Sequence, residues 1–395
     1  MHILQITPQL PFPPDSGGRT GIFNFVQYFS RKHTITLLSF VTEKTECHVT
    51  GLTPYCDVVP VRHTAGNSYP AMLRNLAFKL PYAIEKYQSS DMIGEIRNIA
   101  DSGGIDLVHI DHLHMAQYID ALPDSLPVVL REHNVESVIM RRYSEKTSNP
   151  LVRLYADIQA SRLHAYEAVI CPRFSCCVPV TDVDGQTLRD MAPDARIDVI
   201  SSGVDTEWFD PASDSPSLDP HRIVTTGDYG WPPTADGLRH LVNDIYPKIR
   251  QQIPDVKLSI IGQNPPDSVN AMAKGNGIDV LGRVEDVRPE ILRSSVFVVP
   301  TRIGSGIRLK ILEAMAMRRP VVSTSVGCEG IDAVPEVDIL VADDPEMFAA
   351  SVVHLLRDQV RAADIADSAE ALIHRRYAWS TLITQFDRLY RSLAG

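Results

Sequence analysis

The sequence predicts an α/β fold with two doubly wound domains, each a parallel sheet covered by helices on both faces. Short apolar runs of strand length alternate with amphipathic stretches nearly from end to end, which is typical of repeated βα units. The 395 residues are enough for two separate hydrophobic cores. A segment rich in Asp, Ser and Pro over 206–220 interrupts the alternation and indicates a linker.

Twelve strands are predicted, six on each side of this linker. Those of the first half span 2–6, 34–39, 107–110, 128–131, 176–180 and 198–200. Those of the second half span 223–226, 257–261, 279–281, 296–299, 321–323 and 339–341. Amphipathic helices are predicted between them, for example over 21–29, 183–191 and 237–252. The expected domains are therefore 1–203 and 204–376, and the sequence leaves open whether a last helix at about 377–395 packs back on the first.

Composition excludes several classes of protein. The net charge of -11 argues against a general nucleic-acid binder. The six cysteines show no CxxC spacing, so core thiols in a reducing cytoplasm are expected. The first residues form a strand with no secretion signal, and no apolar run approaches the roughly 18 residues of a membrane span. The sequence therefore predicts a cytoplasmic protein.

The stretch 300–316 is the most informative part of the chain. Gly304 and Gly306 lie between a buried strand and a run of good helix formers. Free backbone N–H groups beside a helix N-terminus suit anionic oxygens. Arg308 and Lys310 add positive charge, and Glu313 offers a carboxylate to a hydroxyl group. These groups suit a nucleoside diphosphate-sugar, and an ordinary βα turn with solvated charges is the equal alternative on this loop alone.

Polar residues also follow strands of the first half. Gly17 and Gly18 follow the first strand, where backbone can approach a ligand closely, and Arg19 stands next to them. A polar cluster over 131–136 includes His133 and follows another strand, at the edge where ligands bind in such sheets. The segment 111–114 holds one Asp and two His, which is a weak metal signal, and we expect no metal there.

Together these motifs resemble the retaining glycosyltransferases of the GT-B fold, which have two Rossmann-like domains facing across a cleft, and in particular family GT4 (glycosyltransferase group 1). The resemblance extends over nearly the whole chain. It rests on the proline-rich loop ending at Arg19, His133, the segments 203–205 and 281–283, and 312–316 with 320–324. The loop at 304–313 matches a subgroup with the pattern GxGxRLKxxE.

The resemblance implies a metal-independent enzyme that moves a sugar from a nucleoside diphosphate-sugar to a hydroxyl acceptor with retention of configuration. UDP is the favoured carrier and GDP the second candidate. No cofactor is implied. The implied partners are the donor and a sugar or lipid-linked acceptor, with no nucleic acid. The implied setting is polysaccharide or glycoconjugate assembly, such as exopolysaccharide biosynthesis, with peripheral contact at the inner face of the membrane.

The resemblance also implies roles for individual residues. The catalytic group comprises His133, Gly17, Gly18, Arg308 and Lys310. The donor would be bound by Gly282, Arg283, Val284, Gly304, Ser305, Gly306, Ile307 and Glu313. The acceptor would be bound by Arg19, Asn134 and Glu136. No metal ligand is implied.

Two departures from the family pattern leave alternatives open. Ser305 stands where the family commonly has the earlier of two glutamates, and the segment 227–233 lacks the Arg and Lys often found there. The alternatives are a GT-B-fold UDP-sugar epimerase and a nucleotide-sugar-binding protein without catalysis. Basic residues among aromatic and apolar ones over 71–87 favour contact with anionic lipid or, equally, a solvated helix face. Donor base, sugar, acceptor and oligomeric state stay open.

Overall fold

The computed structural model describes residues 1–14, 16–211, 216–273, 275–304 and 306–395, apart from the Met272 side chain. The chain forms two compact units. The first unit comprises Met1–Ser202 and Leu382–Gly395, and the second comprises Gly203–Thr381. Among the predicted site residues, Ser305 lies outside the described part of the chain.

The first unit is built on a parallel sheet. Its strands are β1 (His2–Thr7), β2 (Thr34–Val41), β3 (Asp57–Arg62), β4 (Leu107–Asp111), β5 (Val128–Glu132) and β6 (Cys176–Pro179). Their spatial order is β3-β2-β1-β4-β5-β6. Strand order reverses between β1 and β4, and the crevice beyond the carboxyl ends at such a switch point is where open α/β sheets bind ligands.

Helices cover both faces of this sheet and bury its apolar strands. The α-helices are α1 (Gly17–Phe29), α2 (Tyr69–Asn75), α3 (Tyr82–Glu85), α4 (Ser90–Ser102), α5 (Glu136–Lys146), α6 (Pro150–Ile170) and α7 (Asp182–Met191). Single-turn and 3₁₀ segments occupy Glu46–Gly51, Leu113–Ala121 and Cys171–Arg173. Strand residues such as Leu4, Val108 and Leu130 are fully buried in one continuous apolar cluster, so the edge of the sheet that carries polar residues is rigidly supported.

The second unit repeats the same topology. Its strands are β7 (Asp219–Thr226), β8 (Lys257–Ile261), β9 (Ile278–Gly282), β10 (Ser294–Val299), β11 (Val321–Ser323) and β12 (Leu340–Val341). They lie in the order β12-β11-β10-β7-β8-β9, all parallel, so the switch point falls between β7 and β10. The α-helices are α8 (Pro232–His240), α9 (Tyr246–Gln252), α10 (Asp267–Ala273), α11 (Arg288–Arg293), α12 (Leu309–Ala316), α13 (Pro345–Arg357) and α14 (Gln359–Leu372). π-helical turns occupy Leu241–Ile245 and Ile373–Tyr377.

The last helix, α15 (Trp379–Ala394), begins in the second unit and continues into the first. Phe386 packs edge-on against Phe25 of α1, with ring centroids 5.4 Å apart. Tyr390 also approaches Phe29, at 5.4 Å. The side chains of Phe386 and Tyr390 are fully buried. The end of the chain therefore contributes to the hydrophobic core of the first unit.

The predicted strands agree with the observed ones at most positions, with two errors. The prediction of a strand over 198–200 is wrong: the segment runs beside β6 as irregular backbone with one isolated bridge, from Cys177 to Ile197. β6 ends at Pro179, which has no N–H to extend the ladder. Strand β3 was not predicted because Pro60 interrupts its apolar pattern, and the structure accommodates this proline in an edge strand.

Two loop predictions also need correction. Gly17 and Gly18 do not lie in a loop, because α1 begins at Gly17 after an extended Ser16. They supply N–H groups of a first helical turn instead. The predicted linker is shorter than 206–220, since Asp219 and Pro220 already belong to β7.

Candidate functional site

A loop after β10 leads into α12 at the switch point of the second unit. Gly304 and Gly306 have φ values of +148° and +76°, in the region that favours glycine. The Arg308 side chain folds back over them, donating from Nη1 to the Gly306 carbonyl at 2.6 Å. A Cβ at Gly304 would collide with that guanidinium. Glycine at 304 is therefore required for the cation to lie across the loop.

A bidentate ion pair fixes the start of the same loop. Arg302 donates to both carboxylate oxygens of Asp236 in α8, at 2.8 and 3.0 Å. The helix approaches so closely that a Cβ at Gly237 would lie 2.9 Å from the Pro300 carbonyl oxygen. The loop is thus held from its first residues to its end at Arg308.

Lys310 connects α12 to the neighbouring strand of the switch point. Its Nζ donates to the carbonyl of Thr226, the last residue of β7. A Cβ at Gly227 would lie 3.3 Å from the same Nζ, so a larger residue there would crowd the ammonium group. Burial, and next the charge of Arg308, lower the pKa of Lys310 to about 8. The Lys310 side chain is therefore mostly protonated at neutral pH, and its positive charge can attract an anion.

Glu313 lies one helical turn beyond Lys310 on the same helix. Burial raises the pKa of its carboxyl to about 7, and the nearby Lys310 charge partly offsets that rise. Together, the predicted residues Arg308, Lys310 and Glu313 gather cations and one carboxylate around the same glycine loop. Such an arrangement can neutralise a diphosphate and accept hydrogen bonds from hydroxyl groups.

The carboxyl ends of β7, β8 and β9 are tied together by glycine backbone. The Gly262 N–H donates to the Gly282 carbonyl at 2.8 Å, and the Gly227 N–H donates to the Ile261 carbonyl at 3.0 Å. Gly262 has φ +136°, and a Cβ there would overlap the Gly227 carbonyl oxygen. Two backbone hydrogen bonds therefore link the predicted residue Gly282, which has φ +67°, to Gly227 beside the Lys310 side chain.

The remaining predicted donor residues take structural or exposed positions. Ile307 and Val284 are half-buried and pack against the apolar cluster beneath α12. Arg283 is exposed. Their proposed contacts to a nucleotide base stay predictions.

In the first unit, the start of α1 and the ends of β4 and β5 meet at the switch point. A Cβ at Gly18 would lie 3.7 Å from Nε2 of His112, and one at Gly21 would lie 3.4 Å from Cε1 of His133. Arg19 is half-buried in the first turn of α1. The predicted residues Gly18 and His133 are thus brought together, with His112 between them.

His133 is hydrogen-bonded to a carboxylate that sequence reasoning did not select. Its Nε2 lies 2.9 Å from Oδ1 of Asp111, whose side chain is fully buried at the end of β4. Burial alone would raise the pKa of Asp111, but the contacts from His109 and His133 hold it well below the ordinary value. Burial, and then the charge of Arg131, lower the pKa of His133. The pair is therefore a carboxylate and a neutral imidazole.

The other predicted acceptor residues follow His133 along the chain. Asn134 is half-buried in the turn after β5, and Glu136 is the first residue of α5. Burial raises the pKa of the Glu136 carboxyl to about 7, against the opposing charge of Lys86. Glu132 points to the opposite side, where its Oε1 lies 3.5 Å from the Cys171 thiol. Strand alternation separates it from His133.

Sequence reasoning gave Asp111 and His112 only a weak metal reading. Within the described residues, no group of three or more His, Cys, Asp or Glu is placed to hold a metal ion. The signal that could have indicated their contacts with His133 was the position of both residues at a strand end, beside the switch point.

Comparison with known families agrees with this geometry. Residues 16–208 match the family described as Glycosyltransferase Family 4, and residues 220–358 match Glycosyl transferases group 1. The chain belongs to the group 1 glycosyltransferases, family 4, of the GT-B type. The first match contains α1, Asp111 and His133, and the second contains the glycine loop and Glu313.

Solved structures show the same fold over the full chain. Sucrose-phosphate synthase from Thermosynechococcus elongatus superposes with a TM-score of 0.75 at 16% identity, covering 100% of this chain and 99% of that one. The Anabaena protein HepE, solved in complex with UDP, has a TM-score of 0.72 at 14% identity and complete coverage of both chains. At these identities the likeness concerns the fold alone.

Curated relatives match part of the chain. The phosphatidyl-myo-inositol mannosyltransferase of Mycolicibacterium smegmatis is 28% identical over 213 residues, covering 50% of this chain and 52% of its own length. An uncharacterized 44.6 kDa protein in the cps region of Klebsiella pneumoniae is 27% identical over 165 residues, 40% of this chain and 42% of that protein. The alignments span about half the length of these relatives. Among the helices of the described residues, none has the length and apolar character needed to cross a bilayer.

Proposed function

We propose that this protein is a retaining glycosyltransferase that takes a sugar from a nucleoside diphosphate-sugar and transfers it to a hydroxyl group. One observation carries the proposal. The Lys310 side chain reaches from α12 to the end of β7, and Arg308 and Glu313 lie with it around one glycine loop. UDP is the favoured carrier and GDP the second candidate. We assign the chain to the subgroup with the GxGxRLKxxE loop.

In the proposed reaction, this loop stabilises the diphosphate as it leaves. Negative charge grows on the phosphate oxygens as the bond to the anomeric carbon breaks. Arg308 and Lys310 are already held by backbone carbonyls. Each charged contact to phosphate contributes about 1.5–3 kcal/mol. The two cations supply the positive charge that a metal ion would otherwise provide, so the proposed reaction is metal-independent.

Glu313 is proposed to accept hydrogen bonds from the ribose hydroxyls, and Gly282 and Arg283 to contact the base. The first unit is proposed to hold the transferred sugar and the acceptor near Gly17, Gly18 and His133. The proposed attack occurs on the same face as the departing diphosphate, whose oxygen takes the proton of the acceptor hydroxyl. The anomeric C–O bond to phosphate breaks and a new C–O bond forms, with retention.

A thermal-shift titration with UDP, GDP and ADP tests the donor site. The wild type should be stabilised by one of these nucleotides. Lys310→Ala should bind that nucleotide at least about tenfold more weakly, because it loses a contact of about 1.5–3 kcal/mol. Lys248→Ala is the matched control, since Lys248 is an ion-paired lysine of the same unit, bonded to Glu346. Absence of a shift with all three nucleotides would contradict the proposal.

Product analysis separates the enzymatic alternatives. With UDP-glucose or GDP-mannose and no acceptor, an epimerase would release an isomerised sugar, whereas a transferase would release at most slow hydrolysis product. A binding protein without catalysis would release neither, even with acceptor present. The configuration of the new bond, read by NMR, tests retention.

The acceptor side of the proposal concerns a lipid surface. Tyr69, Leu73 and Leu76 lie three and four residues apart along and just past α2, forming an exposed apolar stripe; Tyr69 and Leu73 are 84% and 69% exposed. Asn75 anchors the opposite side of the helix, accepting from Gln159 Nε2 at 2.9 Å. Lys79 follows, also exposed. An apolar stripe beside a cation suits the interface of anionic lipid.

Liposome flotation tests this contact. Wild type should float with phosphatidylglycerol vesicles at low salt, and Leu73→Asp should not. Val360→Asp, at an exposed valine of the second unit, is the control and should float like wild type. Failure of wild type to float would remove the lipid contact and leave the donor-site proposal standing.

A further inference from the structure

A buried chain of polar groups leads from α15 to His133 in the first unit. The Tyr390 hydroxyl contacts Nδ1 of His109, and Nε2 of His109 lies 3.1 Å from Oδ2 of Asp111. Oδ1 of the same carboxylate lies 2.9 Å from Nε2 of His133. Tyr390, His109 and Asp111 are fully buried. These polar groups connect the core of the unit to the His133 imidazole at the carboxyl edge of its sheet.

The proton positions in this chain follow from the chemistry of its members. A carboxylate only accepts hydrogen bonds, so Nε2 of His133, which is hydrogen-bonded to Oδ1 of Asp111, must carry a proton. Gln5 Nε2 is a further donor, at 2.7 Å from Oδ2. Burial lowers the pKa of His133 and keeps its ring neutral at pH 7, so Nδ1 carries no proton and is a hydrogen-bond acceptor.

A second residue fixes the plane of the His133 ring. The imidazole of His112 stacks on it, with ring centroids 4.0 Å apart and planes 10° apart. His112 has φ +69° and ψ +141°, a sparsely populated conformation that costs a non-glycine residue about 1–3 kcal/mol. Such strain persists only where the surrounding structure enforces it, and it is concentrated at functional sites. At His112 this conformation places the ring over His133.

We propose that Asp111 and His112 are positioning residues for His133, which they hold as the Nε2–H tautomer with Nδ1 presented as an acceptor to a substrate hydroxyl. This role rests on the proposed glycosyl transfer for its substrate, whereas the tautomer is a property of the protein itself. The carboxylate sets the proton, and the stacked ring sets the direction of the lone pair. His133 then accepts a hydrogen bond from a sugar hydroxyl and does not donate one through this nitrogen.

Nitrogen-15 NMR of protein labelled at histidine measures the tautomer directly. The His133 ring signals are identified by their loss in His133→Gln. In wild type at neutral pH, Nε2 should show a bonded proton and Nδ1 the downfield shift of an unprotonated ring nitrogen. A wild-type spectrum with Nδ1 protonated, or with both nitrogens protonated, would overturn the proposal.

Asp111→Asn provides the directional test. Gln5 donates to Oδ2 at 2.7 Å, so the amide oxygen is expected to take that place and the amide NH₂ to face His133. His133 should then switch to the Nδ1–H tautomer. Asp120→Asn, at an exposed carboxyl paired with Arg173, is the control and should leave the spectrum unchanged. A folded Asp111→Asn protein with the wild-type tautomer would contradict the proposal.

Kinetics supply the functional arm, with UDP-glucose or GDP-mannose as donor. Asp111→Asn should lower kcat about 10²-fold, as expected for a misdirected contact. Its KM for donor should change less than about threefold, because the donor loop is untouched. A rise in KM by the same factor as the fall in kcat would indicate a general structural defect and count against the positioning role. If the wild type turns over neither donor, the proposed function is in question while the NMR result still decides the tautomer.

Discussion

Donor affinity should depend on pH through Lys310, and the structure gives the size and direction of the effect. With a pKa of about 8 in the free protein, about nine-tenths of the side chain is charged at pH 7 and about one-tenth at pH 9. Only the charged form attracts diphosphate. The association constant for a nucleoside diphosphate-sugar should therefore fall about tenfold between pH 7 and pH 9.

Isothermal titration with UDP-glucose and with GDP-mannose checks this expectation. A sugar diphosphate diester keeps its phosphate charge across this range, so a change in the attraction between Lys310 and the phosphates comes from the protein. Lys310→Arg is the matched variant, because a guanidinium stays charged to far higher pH. Its affinity should be nearly constant between pH 7 and 9. The reasoning would be refuted by a flat wild-type profile, or by an equal decline in Lys310→Arg.

Three further outcomes are expected. Glu313→Gln should remove the loss of donor affinity on the acid side of about pH 7, where the native carboxyl becomes protonated; titration calorimetry at pH 6 and 7.5 would show it. His133→Ala should lower turnover far more than nucleotide affinity, and an equal loss in both would contradict its assignment to the sugar side. Gly262→Ala should destabilise the fold by about 2–5 kcal/mol, from overlap with backbone and left-handed strain. Gly275→Ala, with φ +78° and open space around it, should cost only about 1–2 kcal/mol in urea unfolding.

Regular alternation carried the prediction of the fold. Strand order within each sheet depends on long-range pairing, yet βα repeats with right-handed crossovers allow few arrangements. The errors arose at prolines in the two edge strands, β3 and β6. Pro60 is tolerated within β3, whereas β6 ends at Pro179 and the segment beside it forms one isolated bridge, from Cys177 to Ile197.

The part of the candidate site that could be predicted is the part whose charged residues lie close together in the sequence. Arg308, Lys310 and Glu313 lie on one loop and one helix, so their spacing revealed their proximity. Asp111 and His112 were not selected as site residues, because their contacts with His133 depend on a pairing across strands and on a positive φ at a histidine. Neither property has a signature in the sequence of such a short segment.

The return of α15 to the first unit has a consequence for the order of folding. Residues 203–381 form a contiguous unit that can acquire its contacts as synthesis proceeds. The first unit obtains Phe386 and Tyr390 only after that entire unit has been made. Until then, the apolar surface formed by Phe25 and Phe29 is not covered by α15 and is prone to aggregation. Ribosome-bound chains that stop before residue 382 should therefore be the species that most engage chaperones.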